Sequence, residues 1–470
     1  MPDFSIITQN AQVRALVQEG ALEREFHDSL FPGLLFRAEC GASVPWPAGV
    51  GDTYIGTRNG LIAPVTRARR PNEEPVPQSY ASEQWMAQLQ EYSGTIDTDL
   101  KTSALAIASL FMENTRKLGV SAAQTMNRVV RNRMYNAAES GHTVCDGAQV
   151  AVTTLRVKRL NGFTKARSSS GSVVRFNDVS TSNPLQIKIA GVGALRNVVG
   201  YTPDTAGDEI GPGTLTITVA ASVADRAAVT AVDACKWVIP NHEYAIGSSI
   251  DDVGASDFIS SAAIRKMVAT FRQDNVPVHP DGHFHCHLSP DSEATLMRDP
   301  EIQRQQIGQI DNYLYSEMVI AKAAGTLFMR NNECPNVGTV YPYDGTYTAD
   351  DNFAGELTNG SSVEIHRALF TGFGGMVEMA KGMDDLITEA GLIGTTSPVL
   401  VSQNGMEISA DGVRLIFRAP LNRTQDLVST SWQFLGDWPI ATDSVTGRVE
   451  LTGATSRFKR MRVLAHAVQL

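Results

Sequence analysis

The sequence predicts an α+β protein in which a long helical spine carries a separate β-barrel-like insertion. Three observations predict it. Residues 100–137 keep a helical apolar period, residues 143–248 switch to a two-residue period broken by turns, and 39 glycines and 21 prolines with 7% aromatics call for many loops. With 43% hydrophobic residues the 470-residue chain can bury a large core, and its length alone suggests about three domains. Forty basic against fifty acidic residues give a net charge of -10, which argues against a surface built as a whole to grip DNA or anionic membrane. Local basic patches stay open.

Residues 10–31 read as an amphipathic helix, with Val13, Leu16, Val17, Leu22 and Phe26 spaced between Arg14, Glu19, Glu23 and Glu25. From Gly41 to Gln78 the texture becomes Val-Pro-Trp-Pro, then Gly-Asp-Thr-Tyr-Ile-Gly, then Pro71-Asn-Glu-Glu-Pro-Val-Pro77, the composition of an extended, proline-stiffened arm. Loops beyond about 15 residues are usually lids, binding arms or disordered segments. Next, Leu100, Ala104, Ile107, Phe111 and Met112 form one helical face up to Leu118; Gly119 reads as a C-cap and Ser121-x-x-Gln124 as a fresh capping box. Met126, Val130, Met134 and Ala137 continue in near register, giving a bent spine of about 40 residues, roughly 60 Å long.

Four β-branched or alternating runs follow: Val150–Val157, Ser172–Phe176, Leu185–Ile189 and Thr214–Val219, the pattern of a small barrel or sandwich. Residues 152–196 hold eight Lys or Arg and one Asp, whereas 204–257 hold nine Asp or Glu and two basic groups. That split suits pairing with a neighbour's copy or the opposite faces of one solvated barrel. Beyond it, Ser256 reads as the cap of a helix with Phe258, Ile259, Ala263, Met267 and Phe271 on its apolar side, and Asp281-Gly282 turns into the strand His283–Leu288. Ser289-Pro290 opens a further helix ending at Asp299-Pro300. Thr326–Met329 and Val413–Phe417 read as strands, residues 375–383 as a helix, and Arg423–Leu470 as strand-like, with Trp432-Gln-Phe434 and a basic Arg457-Phe-Lys-Arg460.

The strongest metal-like feature is His283, His285 and His287, with His279 nearby, because alternate strand residues share a face. Zinc needs three or four ligands in tetrahedral reach, and no later His and Asp set completes one: His366 and His466 stand alone. A polar face of a strand is the preferred reading. The phosphate loop, nucleophile elbow and H-E-x-x-H templates are absent, Gly191-Val-Gly193 and Gly372-Phe-Gly-Gly375 are glycine fragments without dinucleotide spacing, and no cofactor is indicated. Arg116, Lys117, Arg128, Arg131 and Arg133 line the spine with Glu113 the only acid from Lys101 to Arg133, so they are candidates to face DNA through phosphate charge alone; a solvated helix face fits equally. The cysteines, Cys40, Cys145, Cys235, Cys286 and Cys334, form no C-x-x-C pair, which fits a reducing cytosol, and residues 1–10 lack a secretory pattern. No stretch approaches the roughly 18 apolar residues of a membrane span, so no membrane partner is expected.

In this order the pieces resemble a tailed-phage major capsid protein of the Hong Kong 97-type fold. The resemblance rests on Val276–Pro290 running into Leu296–Pro300, on Arg330–Pro335, on His366–Phe370 and on Ser431–Pro439, with Gly211–Ile217 similar to the insertion domain of some phage coat proteins. It implies an N-terminal arm (1–40), an extended loop (41–96), the spine helix of a peripheral domain (97–142), a β-rich insertion domain (143–250), the rest of the peripheral domain (251–335), and an axial domain with C-terminal strands (336–470). It also implies a non-enzymatic subunit that assembles in the bacterial host cytoplasm, through hexamers and pentamers, into a virion shell around double-stranded DNA. A scaffolding protein, a portal and in some cases a decoration protein are the implied partners.

Some relatives cross-link a loop lysine to a neighbour's asparagine. Here the first lysine is Lys101, so the loop lacks that nucleophile and the shell is expected to be non-covalent. The short region before Gly41 is expected to leave no room for a cleaved scaffold, which implies a separate one. Trp46, Tyr54, Ile55, Leu61 and Ile62 lie among prolines and glycines that bury little, and with Arg67, Arg69 and Arg70 they are the expected inter-subunit contacts. Two alternatives remain: an encapsulin-like compartment, and a metal-dependent hydrolase using the histidine strand.

Overall fold

A computed structural model describes residues 35–59 apart from 42 and 48; 65, 68, 70, 74, 75 and 77; 82–232 apart from 139, 171, 172, 208–210 and 226; 256–307 apart from 274; 322–331; 334; 365–381; 405–410; 413–418; 427–440; and 460–468. The helix expected at 10–31 lies outside them. In chain order, β1 (Ser43–Pro45), β2 (Thr53–Asn59), β3 (Ser82–Gln88) and β4 (Gln90–Asp99) lead into helix α1 (Leu100–Ala138). Then come β5 (His142–Val144), β6 (Gln149–Val157), β7 (Lys165–Ser170), β8 (Val173–Asp178), β9 (Leu185–Ile189), β10 (Arg196–Pro203), β11 (Gly213–Val223) and β12 (Ala228–Ala231). Helix α2 (Ser261–Gln273), β13 (Phe284–Leu288), α3 (Pro290–Leu296), α4 (Pro300–Ile307), β14 (Lys322–Ala323) and β15 (Thr326–Arg330) follow. The chain closes with β16 (Ile365–Thr371), β17 (Glu378–Ala380), β18 (Gly405–Ala410), β19 (Val413–Arg418), β20 (Leu427–Asp437) and β21 (Met461–Ala467). The architecture is α+β with strands in the majority, and it divides into two compact units.

The first unit comprises Met1–Tyr54, Ala87–Arg131 and Met376–Pro439. Its sheet runs β1-β17-β20-β19-β18, and β4 pairs along the other side of β20 from Leu427↔Asp99 to Gly436↔Gln90. Alternation on β20 buries Val428, Thr430, Trp432 and Phe434, the period-two pattern of a one-sided core. Residues 375–383, expected as a helix, instead contain β17, because pairing with β1 and β20 satisfies this backbone as strand and overrides its local preference. The break expected at Gly119 also does not occur. Helix α1 passes through it unbroken and Gly119 is buried, because propagation and the packed stripe Leu118, Ala122, Met126, Val130 outweigh the roughly 1 kcal/mol penalty of one glycine. Ser121 is therefore mid-helix, its carbonyl accepting from Thr125 Oγ1 at 2.8 Å.

A buried ion pair ties the start of the described chain to this sheet. Arg37 donates from Nε and a terminal nitrogen to both Glu378 oxygens at 2.7 Å, Trp438 Nε1 donates to Glu378 at 3.1 Å, and the guanidinium lies 5.5 Å from the Phe434 ring centroid. Beside it, Cys40 keeps its proton, because burial and then the Glu378 charge push the thiol far above its usual range.

The second unit comprises Ile55–Met86, Asn132–Gly375 and Ile440–Leu470. Its largest sheet runs β5-β12-β9-β10-β11-β6, and an antiparallel bridge between Cys145 and Val157, with Lys158 N donating to Val144 O at 3.0 Å, joins its two ends. The two ends of the sheet therefore meet at this corner, which closes it as a barrel. Inward residues such as Leu155, Val157, Ile187, Ile189, Val198, Leu215 and Val229 fill its core, as the alternation within residues 143–248 predicts. Hairpin β7–β8 leaves the barrel to join β2 and β3 in a four-stranded sheet, β3 and β8 pairing in parallel at Ser82↔Val173.

A third sheet, β14-β15-β13-β16-β21, packs against α2 through Ile264, Met267, Phe271, Phe284, Cys286, Phe370 and Leu464. Helix α2 begins at Ser261 rather than after Ser256: Ser260 caps it, Asp299 Oδ2 accepts from Ser261 N at 2.6 Å, and Phe258 is held in a parallel bridge to Ala467. Ser289 caps α3 as expected, accepting from Ser292 N at 3.2 Å. That helix stops at Leu296, before Asp299-Pro300, where α4 starts.

Candidate functional site

The extended segment differs from expectation at its aromatic anchor. Trp46 is 5% exposed: its backbone N donates to Ala380 O, its Nε1 to Gly51 O at 3.0 Å, and its ring meets Tyr54 edge-on at 6.4 Å. Its own unit satisfies it, so it offers no open face to a neighbour. Tyr54 is half-buried, Ile55 is 59% exposed and Arg70 is exposed, while Leu61, Ile62, Arg67 and Arg69 lie outside the described residues. The same stretch of sequence exposes Val44, Val50 and, at 76%, Val65, which the sequence reading missed. Their signal was there: each valine adjoins a proline or a glycine, which interrupt the regular pattern around it.

The basic positions of α1 separate by burial. Arg116 and Lys117 are exposed, Lys117 pairing with Glu113 at 3.7 Å across one turn, and Arg128 is half-buried. Arg131 and Arg133 are buried at 5% and 6%, which removes both from the expected DNA-facing strip, since a buried guanidinium presents no charge to phosphate. Every residue from Val129 to Tyr135 is buried, so α1 is enclosed on all its faces there, which composition alone does not register.

His283, His285 and His287 do not gather as a ligand set. Strand β13 begins at Phe284, leaving His283 just before it and half-buried, while His285 and His287 point away from the α2 core. His285 Nε2 lies 3.0 Å from Asp281 Oδ2 and its ring stacks on His279 at 3.8 Å; His287 is fully buried, its Nδ1 3.5 Å from Asn331. Among the described residues, His283, His285 and His287 do not bring three ligand atoms within 4.8 Å of one another. Burial pushes the Asp281 carboxyl up, but the His283 N–H and the His285 ring outweigh it and hold it below the usual range. His366 and His466, expected to stand alone, are cross-strand partners on β16 and β21, both buried, with ring centroids 6.2 Å apart. His366 Nδ1 lies 3.0 Å from Ser289 Oγ, and burial pushes His466 down to about 4.

Charges of the insertion are partly used within it. Arg156 reaches Asp146 at 2.9 Å and Asp204 at 2.8 Å, and these bonds, that to Asp146 foremost, raise its pKa above the usual arginine value. Lys165 pairs with Asp178 across hairpin β7–β8. The opposed regional charges thus meet in part inside one subunit.

The fold and these surfaces define an α+β protein whose exposed features include single aliphatic side chains and charged faces. No family model and no curated protein matches the sequence. Solved structures are similar to it. The capsid of Ralstonia phage GP4 aligns at 11% identity over 90% of this chain and 85% of its own, with a TM-score of 0.43. The capsid asymmetric unit of cyanophage Pam1 aligns at 10% identity over 89% and 86%, with a TM-score of 0.44. The mature capsid of bacteriophage PhiM1 aligns at 8% identity over 92% and 86%, also at 0.44.

Proposed function

We propose that the chain is a major capsid protein of a tailed bacteriophage, a structural subunit that assembles through hexamers and pentamers into an icosahedral shell around double-stranded DNA. The observation that carries the reading is the exposure of aliphatic residues close together in sequence, Val44, Val50, Ile55 and Val65. Such residues gain most from contact with a neighbouring copy, and repetition of a modest contact over a closed shell stabilises the whole. The exposed Arg116 and Lys117, with the half-buried Arg128, are the groups proposed to meet DNA, by charge and without reading sequence. Assembly in the bacterial cytoplasm with a scaffolding protein and a portal, and with a decoration protein where one exists, belongs to the same proposal. The hydrolase alternative is not favoured, since His283, His285 and His287 do not converge as ligands among the described residues.

Negative-stain electron microscopy of the purified protein is the test. Uniform shells or hexameric and pentameric rings are expected, and Ile55→Asp is expected to lower particle yield without moving the thermal unfolding midpoint. A monodisperse monomer, with and without scaffold, would overturn the reading.

A further inference from the structure

The barrel of the second unit buries its aliphatic residues by strict alternation, Leu185, Ile187 and Ile189 inward on β9 and Leu215 and Ile217 inward on β11. The alternation fails at one corner. Between Thr216↔Thr154 and Ala221↔Val152, β11 carries four residues against one on β6, and within this irregularity Val219 is 56% exposed. On the facing strand Val150 is 80% exposed, followed by Ala151 at φ 50, a left-handed conformation that disfavours a Cβ, held by Ala151 N donating to Ser222 Oγ at 3.0 Å. The register of β10 on β11, Val198↔Ile217, brings Leu195, 51% exposed, beside the same stretch of β11. Backbone strain kept at a place where it turns aliphatic residues outward points to a use for that surface.

We propose that this corner docks onto the same corner of a second copy of the chain about a two-fold axis, an interface separate from the extended segment. The occupant follows from the flanking charges. Arg196↔Ile187 sets the exposed Lys188 across from Leu195 on one flank, and the exposed Asp225, accepting from Gly147 N at 2.9 Å, lies two residues past Val223, the partner of Gln149, on the flank of Val150. A two-fold operation places the Lys188 flank of one copy against the Asp225 flank of the other with the aliphatic residues between, so the surface complements itself. The inference rests on the assembly reading, which brings copies of the chain together.

The full-length chain carrying Val219→Cys, assembled and treated with a short bis-maleimide, tests it. Dimers in excess of the parent chain treated alike are expected on a denaturing gel, stopping at the dimer because a two-fold contact closes on itself. Adding Lys188→Glu is expected to lower the dimer yield about tenfold at an unchanged unfolding midpoint, and adding Asp225→Lys as well is expected to restore it. Shells that give no dimers, or dimers indifferent to Lys188→Glu, would overturn the inference and leave the corner to a partner of other sequence. Microscopy reads shell formation separately: missing shells count against the assembly reading, and missing dimers within intact shells count against this contact.

Discussion

His466 makes stability depend on pH in a defined direction. Burial lowers its pKa from 6.5 to about 4, the bond to Ala467 O opposing and the His366 charge adding to the effect. Below about 6.5 the unfolded chain takes up a proton that the folded chain refuses until about 4, so stability rises with pH across this window and is flat beneath it. The loss on acidification from pH 7.5 to 4 is about 3 kcal/mol for this group. Thermal unfolding followed over that range should show the midpoint falling, with the slope reduced in His466→Phe; an unchanged slope would refute the assignment. The pairing behind it was not legible: His366 and His466 are a hundred residues apart, and only the register of β16 on β21 makes them neighbours. The sequence likewise showed Trp46 among prolines, but not Gly51 O, which satisfies its indole.

Close contact between β4 and β20 yields a sharper expectation. A Cβ on Gly94 would lie 2.5 Å from Trp432 Nε1, so Gly94→Ala should displace the indole or open the strand pair, costing about 1–3 kcal/mol. Urea unfolding followed by tryptophan fluorescence measures the loss, and a variant as stable as the parent would contradict the packing. Elements read most clearly where the pattern was long and one-sided. The spine helix, β9 and β19 fall where periodicity puts them, because burial on one face fixes both type and register. The reading failed where local signals competed with partners far along the chain. Gly119 resembles a helix end, but packing carries α1 through it; Ser256 resembles a cap, but Asp299 draws the start of α2 to Ser261; and residues 375–383 become strand by pairing with β1 and β20. Of the expected inter-subunit contacts Ile55 is exposed whereas Trp46 is buried, and of the expected DNA-facing residues Arg131 and Arg133 are buried, since composition reveals chemistry and not where in an element it is covered.

At the scale of the whole molecule, the proposed assembly is expected to be non-covalent at residues 41–96, which contain no lysine to form an amide bond with a neighbour's asparagine. Particles dissolved in hot detergent should therefore run as the single 50.7 kDa subunit, and a ladder of higher masses would contradict non-covalent assembly. The closed barrel has a different kind of consequence. Thr230 and His142 are cross-strand partners, so the chain departs for residues 142–231 and returns from them at one point. Removing residues 142–231 would also take β7 and β8 out of the sheet they share with β2 and β3, whereas a peptide spliced into an exposed turn such as Thr205–Gly207 would leave that meeting point untouched.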